Sequence, residues 1–138
     1  MTREVLLLLL GCTTALMCGQ VDVAPMIDLE SVVRIVAVEE GVDPDLLFAV
    51  VMMESGGDPN AVGDDGAAVG LTQIHGKETY DTWRWLCQLL GFEAWADDDD
   101  RRYDPIANLR LCARAIKHGY GPLWSSYRSL VGCGYWSD

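Results

Sequence analysis

The stretch that most constrains this chain is an apolar octet that runs directly into an acid and then into glycine. Leu46-Leu47-Phe48-Ala49-Val50-Val51-Met52-Met53 is opened by Asp43-Pro44-Asp45 and followed by Glu54-Ser55-Gly56-Gly57-Asp58-Pro59. An Asp side chain caps free amide groups at a helix start, and Pro sits where no donor is needed. Gly56, Gly57 and Pro59 stop the helix just beyond Glu54. The segment therefore reads as a buried helix, on which Glu54 shares a stripe with Leu47, Val50 and Val51. A carboxyl group in that place loses hydration and lies near the negative end of the helix dipole. Both effects disfavour the charged form, so a raised pKa is expected. A carboxylic acid kept protonated near neutral pH can donate to a leaving oxygen. The alternative is a polar last residue of a buried helix, with its tip in water.

The residues that follow favour the chemical reading. Pro59-Asn60, Gly63-Asp64-Asp65-Gly66 and Gly70-Leu71-Thr72-Gln73-Ile74 make a glycine-rich connection too polar and too broken to be core. It returns abruptly to an apolar turn, as expected of a loop lining a cleft beside the acid. The linked pair Glu-Ser-Gly-Gly-Asp-Pro-Asn-Ala (54–61) and Gly-Leu-Thr-Gln-Ile (70–74) resembles the lytic transglycosylases that cleave bacterial peptidoglycan. The Gly63-Asp64-x-Gly66 element resembles goose-type lysozymes, which share the lysozyme-like fold. The likeness covers residues from about 30 to 130. It implies a mostly α, compact lysozyme-like domain (within the α+β lysozyme-like superfamily), with a cleft between the Glu54 helix and the Gly-rich loop.

At 138 residues the chain is long enough for one domain with a proper core, and half of it is hydrophobic. A formal charge of −11 argues against nucleic acid, whose phosphates require Lys and Arg. A neutral glycan, held by hydrogen bonds and stacking, tolerates such a surface. Residues 1–20 read as an export leader and 27–134 as the domain. Arg3 precedes an apolar run, 5–17, that is short for a bilayer span. Leu9-Leu10-Gly11-Cys12 has the form of a lipoprotein cleavage box, which leaves open a signal peptide, lipid attachment at Cys12, or an uncleaved segment holding the protein to a membrane. A periplasmic or extracellular setting is expected, with a monomeric domain. Cys87, Cys112 and Cys133 would then meet an oxidising space, where one bridge and one free thiol is the simplest arrangement and three buried thiols the alternative. No cofactor or metal is expected. His75 and His118 lack metal-ligand spacing, and Val69 stands where a calcium loop starting at Asp58 needs Glu.

Periodicity predicts further helices over 27–41, with Asp28 as cap, 77–90, ended by Gly91, and 106–118, capped by Asp104. A short helix is predicted over 123–130. The aromatics of 77–90 are expected mostly in the core, and Asp97 to Arg102 as a solvated charged loop. Asp58 and Asn60 are turn residues. Asn108-Leu109 resembles the transglycosylase helix that packs behind the cleft. The C-terminus departs from that family: Leu130-Val131-Gly132-Cys133-Gly134 lacks the usual Tyr and Asn that help hold substrate and acid, and Tyr127 is the expected substitute. Thr72 likewise replaces a bulky apolar residue.

By resemblance, Glu54 is the catalytic acid, and Ser55, Gly70, Gln73 and Tyr127 bind substrate, the peptidoglycan glycan strand. Asp64 joins them as a substrate-side carboxylate, since goose-type lysozymes carry an Asp there. For Ser55 a helix-cap role is the alternative. The implied reaction breaks the bond between N-acetylmuramic acid and N-acetylglucosamine and closes a 1,6-anhydro ring. The alternatives are hydrolysis, with Asp64 directing water, and a non-catalytic wall-binding or secretion-assembly module of the same fold.

Overall fold

The computed structural model describes residues 27–76, 81–134 and 136; the expected leader, 1–20, and residues 77–80 lie outside them. Helix α1 (Leu29–Glu40) is capped by Asp28, whose side chain accepts from the Ser31 amide, and it ends at Gly41 in a left-handed conformation. Helix α2 (Pro44–Ser55) has the expected cap, Asp43, which accepts from the amides of Asp45 and Leu46, and it stops at Gly56. Leu47, Val50 and Val51 on α2 are fully buried against Val33 and Ala37 of α1 within one apolar core. Removing such side chains from water is what holds the two helices together, at roughly 1.5–3 kcal/mol for each fully buried Val or Leu.

The glycine-rich stretch folds into a small antiparallel sheet of three two-residue strands: β1 (Val62–Gly63), β2 (Ala68–Val69) and β3 (Ile74–His75), in that order. Gly63 pairs with Ala68, and Ala68 with His75. Helix α3 (Thr82–Leu89) follows, capped by Asp81. The expected helix over 77–90 therefore starts later among the described residues, because the Asp81 side chain satisfies the Arg84 amide. Helices α4 (Pro105–Lys117) and α5 (Ser125–Gly132) complete the domain, with a 3-10 turn at Gly121–Leu123 before α5. Helix α4 packs against α1, and α5 against α2.

Three expectations change. The charged run 97–102 is not simply solvated: Asp99–Tyr103 is a 3-10 helix, and Arg102 is buried. Its guanidinium reaches the carbonyls of Ala67 (2.8 Å) and Ile74 (3.0 Å), so the sheet supplies acceptors that sequence periodicity cannot reveal. Of the aromatics on α3, Trp83 is buried and donates to the Trp95 carbonyl, whereas Trp85 is exposed and meets Tyr120 edge-on. All three cysteines of the domain are free thiols: Cys87 and Cys112 are buried and Cys133 is exposed. The buried two pack as small hydrophobes. Burial pushes the Cys87 thiol up to about 12, and it raises Cys112 further, keeping both neutral and unreactive.

Candidate active site

Glu54 reaches the surface because its helix stops. Leu47, Val50 and Val51 anchor the stripe below it in the core, and the half-buried Glu54 lies at its outer end, in the last turn before Gly56. Ser126, buried on α5, donates its hydroxyl to Glu54 Oε1 at 2.5 Å. That bond fixes the rotamer of the Glu54 side chain at its position in the wall of the cleft.

Glu54 lines a cleft of about 280 Å³ together with Asp64, Ala68, Gln73, Ile74, His75, Thr82, Leu123, Trp124 and Ser125. The wall opposite α2 and α5 is the sheet, and polar side chains hold it in shape. The Gln73 amide donates to the carbonyls of Ala61 and Gly70, both at 3.1 Å, closing the loop on itself. Asn108, fully buried on α4, accepts from the Thr72 amide (2.9 Å) and hydroxyl (2.7 Å), and it donates to the Arg102 carbonyl (2.8 Å). The Thr72 hydroxyl thus gives Asn108 Oδ1 a second donor beside the Thr72 amide, a bond that an apolar side chain there would not make. Trp124 closes the same turn by donating its indole N–H to the Thr72 carbonyl at 2.8 Å. Buried polar groups must find partners, and here the partners pin one wall of the cleft to α4 and to the segment before α5.

Of the residues singled out in the sequence, the cleft gathers Glu54, Asp64 and Gln73. Gln73 lines it while its amide nitrogen is spent on the loop's own carbonyls. Ser55, Gly70 and Tyr127 are not among the lining residues. The Ser55 hydroxyl donates to the Val51 carbonyl and accepts from the Gly57 amide, which is the cap role. Gly70 is buried with φ +85°, and a Cβ there would lie 2.3 Å from the Arg102 carbonyl oxygen, so glycine is required by packing. Tyr127 is buried beneath Gly121, and its neighbour Ser126 is the residue that touches the acid.

Two site residues escaped the sequence reading. His75 was weighed only as a metal ligand, yet its Nε2 lies 2.7 Å from Asp64 Oδ2. The signal was its place one residue past Ile74, in a strand returning along the loop that carries Asp64. Ser126 carried no signal of its own, since only the docking of α5 on α2 brings it to Glu54.

A mostly helical domain with a half-buried acid at the end of an apolar helix, facing a small polar-clamped sheet, defines the lysozyme-like class. Residues 31–132 match the family model of the Transglycosylase SLT domain, over well more than half of the chain. The protein belongs to this family, the SLT-type lytic transglycosylases, and glycan-cleaving chemistry on peptidoglycan is the family's general province. No curated protein and no solved structure matches the chain.

Proposed function

We propose that this protein is an exported peptidoglycan lytic transglycosylase that breaks the β-1,4 bond between N-acetylmuramic acid and N-acetylglucosamine. The observation that carries the reading is the 2.5 Å bond from buried Ser126 to Glu54, which holds a half-buried carboxyl in the cleft wall. In this reading protonated Glu54 donates to the bridging oxygen, and the C1–O4 bond breaks. The acetamido oxygen of the substrate stabilises the cationic sugar, so no nucleophilic carboxylate is required. Glu54, now a base, takes the proton of the sugar's own 6-hydroxyl, which attacks C1 and closes the 1,6-anhydro ring. The acid is regenerated in the same step, and no water is consumed.

The size of the cleft supports one sugar junction at the acid. Its volume is just under the roughly 300–1,000 Å³ typical of enclosed ligand sites. The rest of a glycan strand then lies along open surface. Export rests on the apolar run 5–17, with lipid attachment at Cys12 as one form, and is tested by intact mass and fractionation of the natively expressed chain.

Purified peptidoglycan digested with the enzyme should yield muropeptides ending in 1,6-anhydromuramic acid, read by mass spectrometry. Glu54→Gln should lower their release by at least about a hundredfold, because an amide keeps the shape but cannot cycle a proton. A Gln variant that retains most of the rate would remove Glu54 from its role. A wild type that binds glycan without cutting it would make this a wall-binding module.

A further inference from the structure

We infer that Trp85, held edge-on by Tyr120, is a stacking platform outside the cleft for a further sugar of the glycan strand. The inference rests on the glycan reading above and adds to it a site on the open surface beyond the junction at Glu54.

Two elements lead from the cleft to this place. Helix α3 contributes Thr82 to the lining, and the 3-10 turn before α5 contributes Leu123. Trp85 lies three residues on from Thr82, on the same side of α3 and about 4.5 Å further along its axis. That advance is close to the length of one pyranose ring. Tyr120 lies three residues before Leu123, and its carbonyl accepts from the Leu123 amide at 3.0 Å. The rings of Trp85 and Tyr120 then meet at a centroid distance of 5.4 Å and an angle of 87°. The two elements that converge on the rim of the cleft thus meet again outside it, on an aromatic pair.

Core packing does not account for Trp85. The face of α3 that holds the fold together is Trp83, Leu86 and Cys87, all fully buried. Trp85 is 45% exposed, as are Leu89, one turn further on, at 47% and Leu123 at 50%. One exposed apolar residue is ordinary. A run of them on adjoining elements beside a ligand groove is the pattern of a binding surface. The platform is also rigid. Tyr120 follows Gly119, whose φ of +88° turns the chain out of α4, and its amide donates to the Ala115 carbonyl at 2.8 Å. An edge-on partner orients an indole while covering less of it than a stacked ring would.

The chemistry fits a sugar. A β-1,4-linked pyranose carries its polar substituents around its edge and turns a flat C–H face outward. That face is matched by the electron-rich face of an indole, while the hydroxyls stay in water. The contact needs no charge, so the formal charge of −11 does not oppose it. Trp supplies this area with only two side-chain torsions to order.

The test measures binding of peptide-free GlcNAc–MurNAc strands, as a purified disaccharide and a purified hexasaccharide, to the Glu54→Gln protein by calorimetry. The hexasaccharide should bind more tightly than the disaccharide. Adding Trp85→Ala should weaken the hexasaccharide about fivefold and leave the disaccharide unchanged. Trp85→Phe, which keeps an aromatic face, should recover most of that loss. Tyr120→Ala should give a smaller loss, again confined to the longer strand, through release of the indole. A merely structural role would weaken both lengths alike. Equal losses for both strands, no loss for either, or no binding of the hexasaccharide would overturn the platform. The release of anhydro ends by wild type decides the cleavage reading separately: with those ends present it stands whatever becomes of Trp85.

Discussion

The two walls of the cleft are held by opposite kinds of physics. The helical wall places Glu54 through apolar packing: Leu47, Val50 and Val51 are fully buried and Glu54 follows them along one stripe. The sheet wall has strands of only two residues, too short to be stable alone. It is held by buried polar side chains from elsewhere, with Asn108 and Arg102 behind it and Trp124 at the turn. Apolar packing is non-directional and tolerates change by degrees, whereas a polar clamp fails when one partner is removed. The acid thus sits on the forgiving wall, and the groups facing it sit on the exacting one.

The sharpest way to break this contrast is Asn108→Leu. It keeps the volume but strands the Thr72 amide, the Thr72 hydroxyl and the Arg102 carbonyl in a buried setting. At about 1–3 kcal/mol for each group left without a partner, the loss should be about 4 kcal/mol or more by urea unfolding. Cleavage should fall even in the molecules that remain folded, as the sheet wall loosens.

Leu47→Ala tests the other wall. It should cost about 3 kcal/mol, the usual range for a buried Leu. Below its lowered melting temperature it should keep most of its cleavage rate, because the stripe still has Val50 and Val51. A larger activity loss in Leu47→Ala than in Asn108→Leu, measured at equal folded fraction, would reverse the assignment of the walls.

Ser126→Ala joins the two questions at the acid itself. Losing the hydroxyl on Oε1 should lower kcat about tenfold by freeing the carboxylate's rotamer, with a stability change of only about 1 kcal/mol. Ser126→Thr, which restores the hydroxyl, should recover most of the rate.

The smallest effect concerns the ion pairs behind the helical wall. Burial works to raise the Glu40 carboxyl, but hydrogen bonds and charge from Arg114, and then from Arg110, outweigh it and hold it below the usual carboxylate range. A carboxyl lowered on folding contributes stability that is fully present above its unfolded pKa and lost as pH falls through the folded one. Glu40→Gln should therefore cost about 1–2 kcal/mol at pH 7. Its difference from wild type should shrink steadily below about pH 4, by urea unfolding at each pH.

The same contrast separates what was legible in the sequence from what was not. The acid's helix, its Asp43 cap and its Gly56 stop were readable because each rests on near neighbours in the chain. So were the caps Asp28 and Asp104, and the Asp58–Asn60 turn, in which the Asn60 amide donates to Asp58 at 2.8 Å. Arg102 was misread as solvated; for Ser55 the structure shows the cap bonds that the sequence offered as its alternative, and Gly70 and Tyr127 are packed and buried by neighbours distant in the chain.

By itself, then, the sequence determined the main helices, the family and the place of Glu54 at the end of its apolar stripe, since caps, breakers and a 3.6-residue stripe act over a few residues. Tertiary structure decided the partners: Ser126 on Glu54 across 72 positions, Asn108 on Thr72 across 36, and His75 on Asp64 across a strand. Hydrogen bonds are directional and reach about 3 Å. Which polar groups meet is fixed only when the helices have packed and the strands have chosen their register.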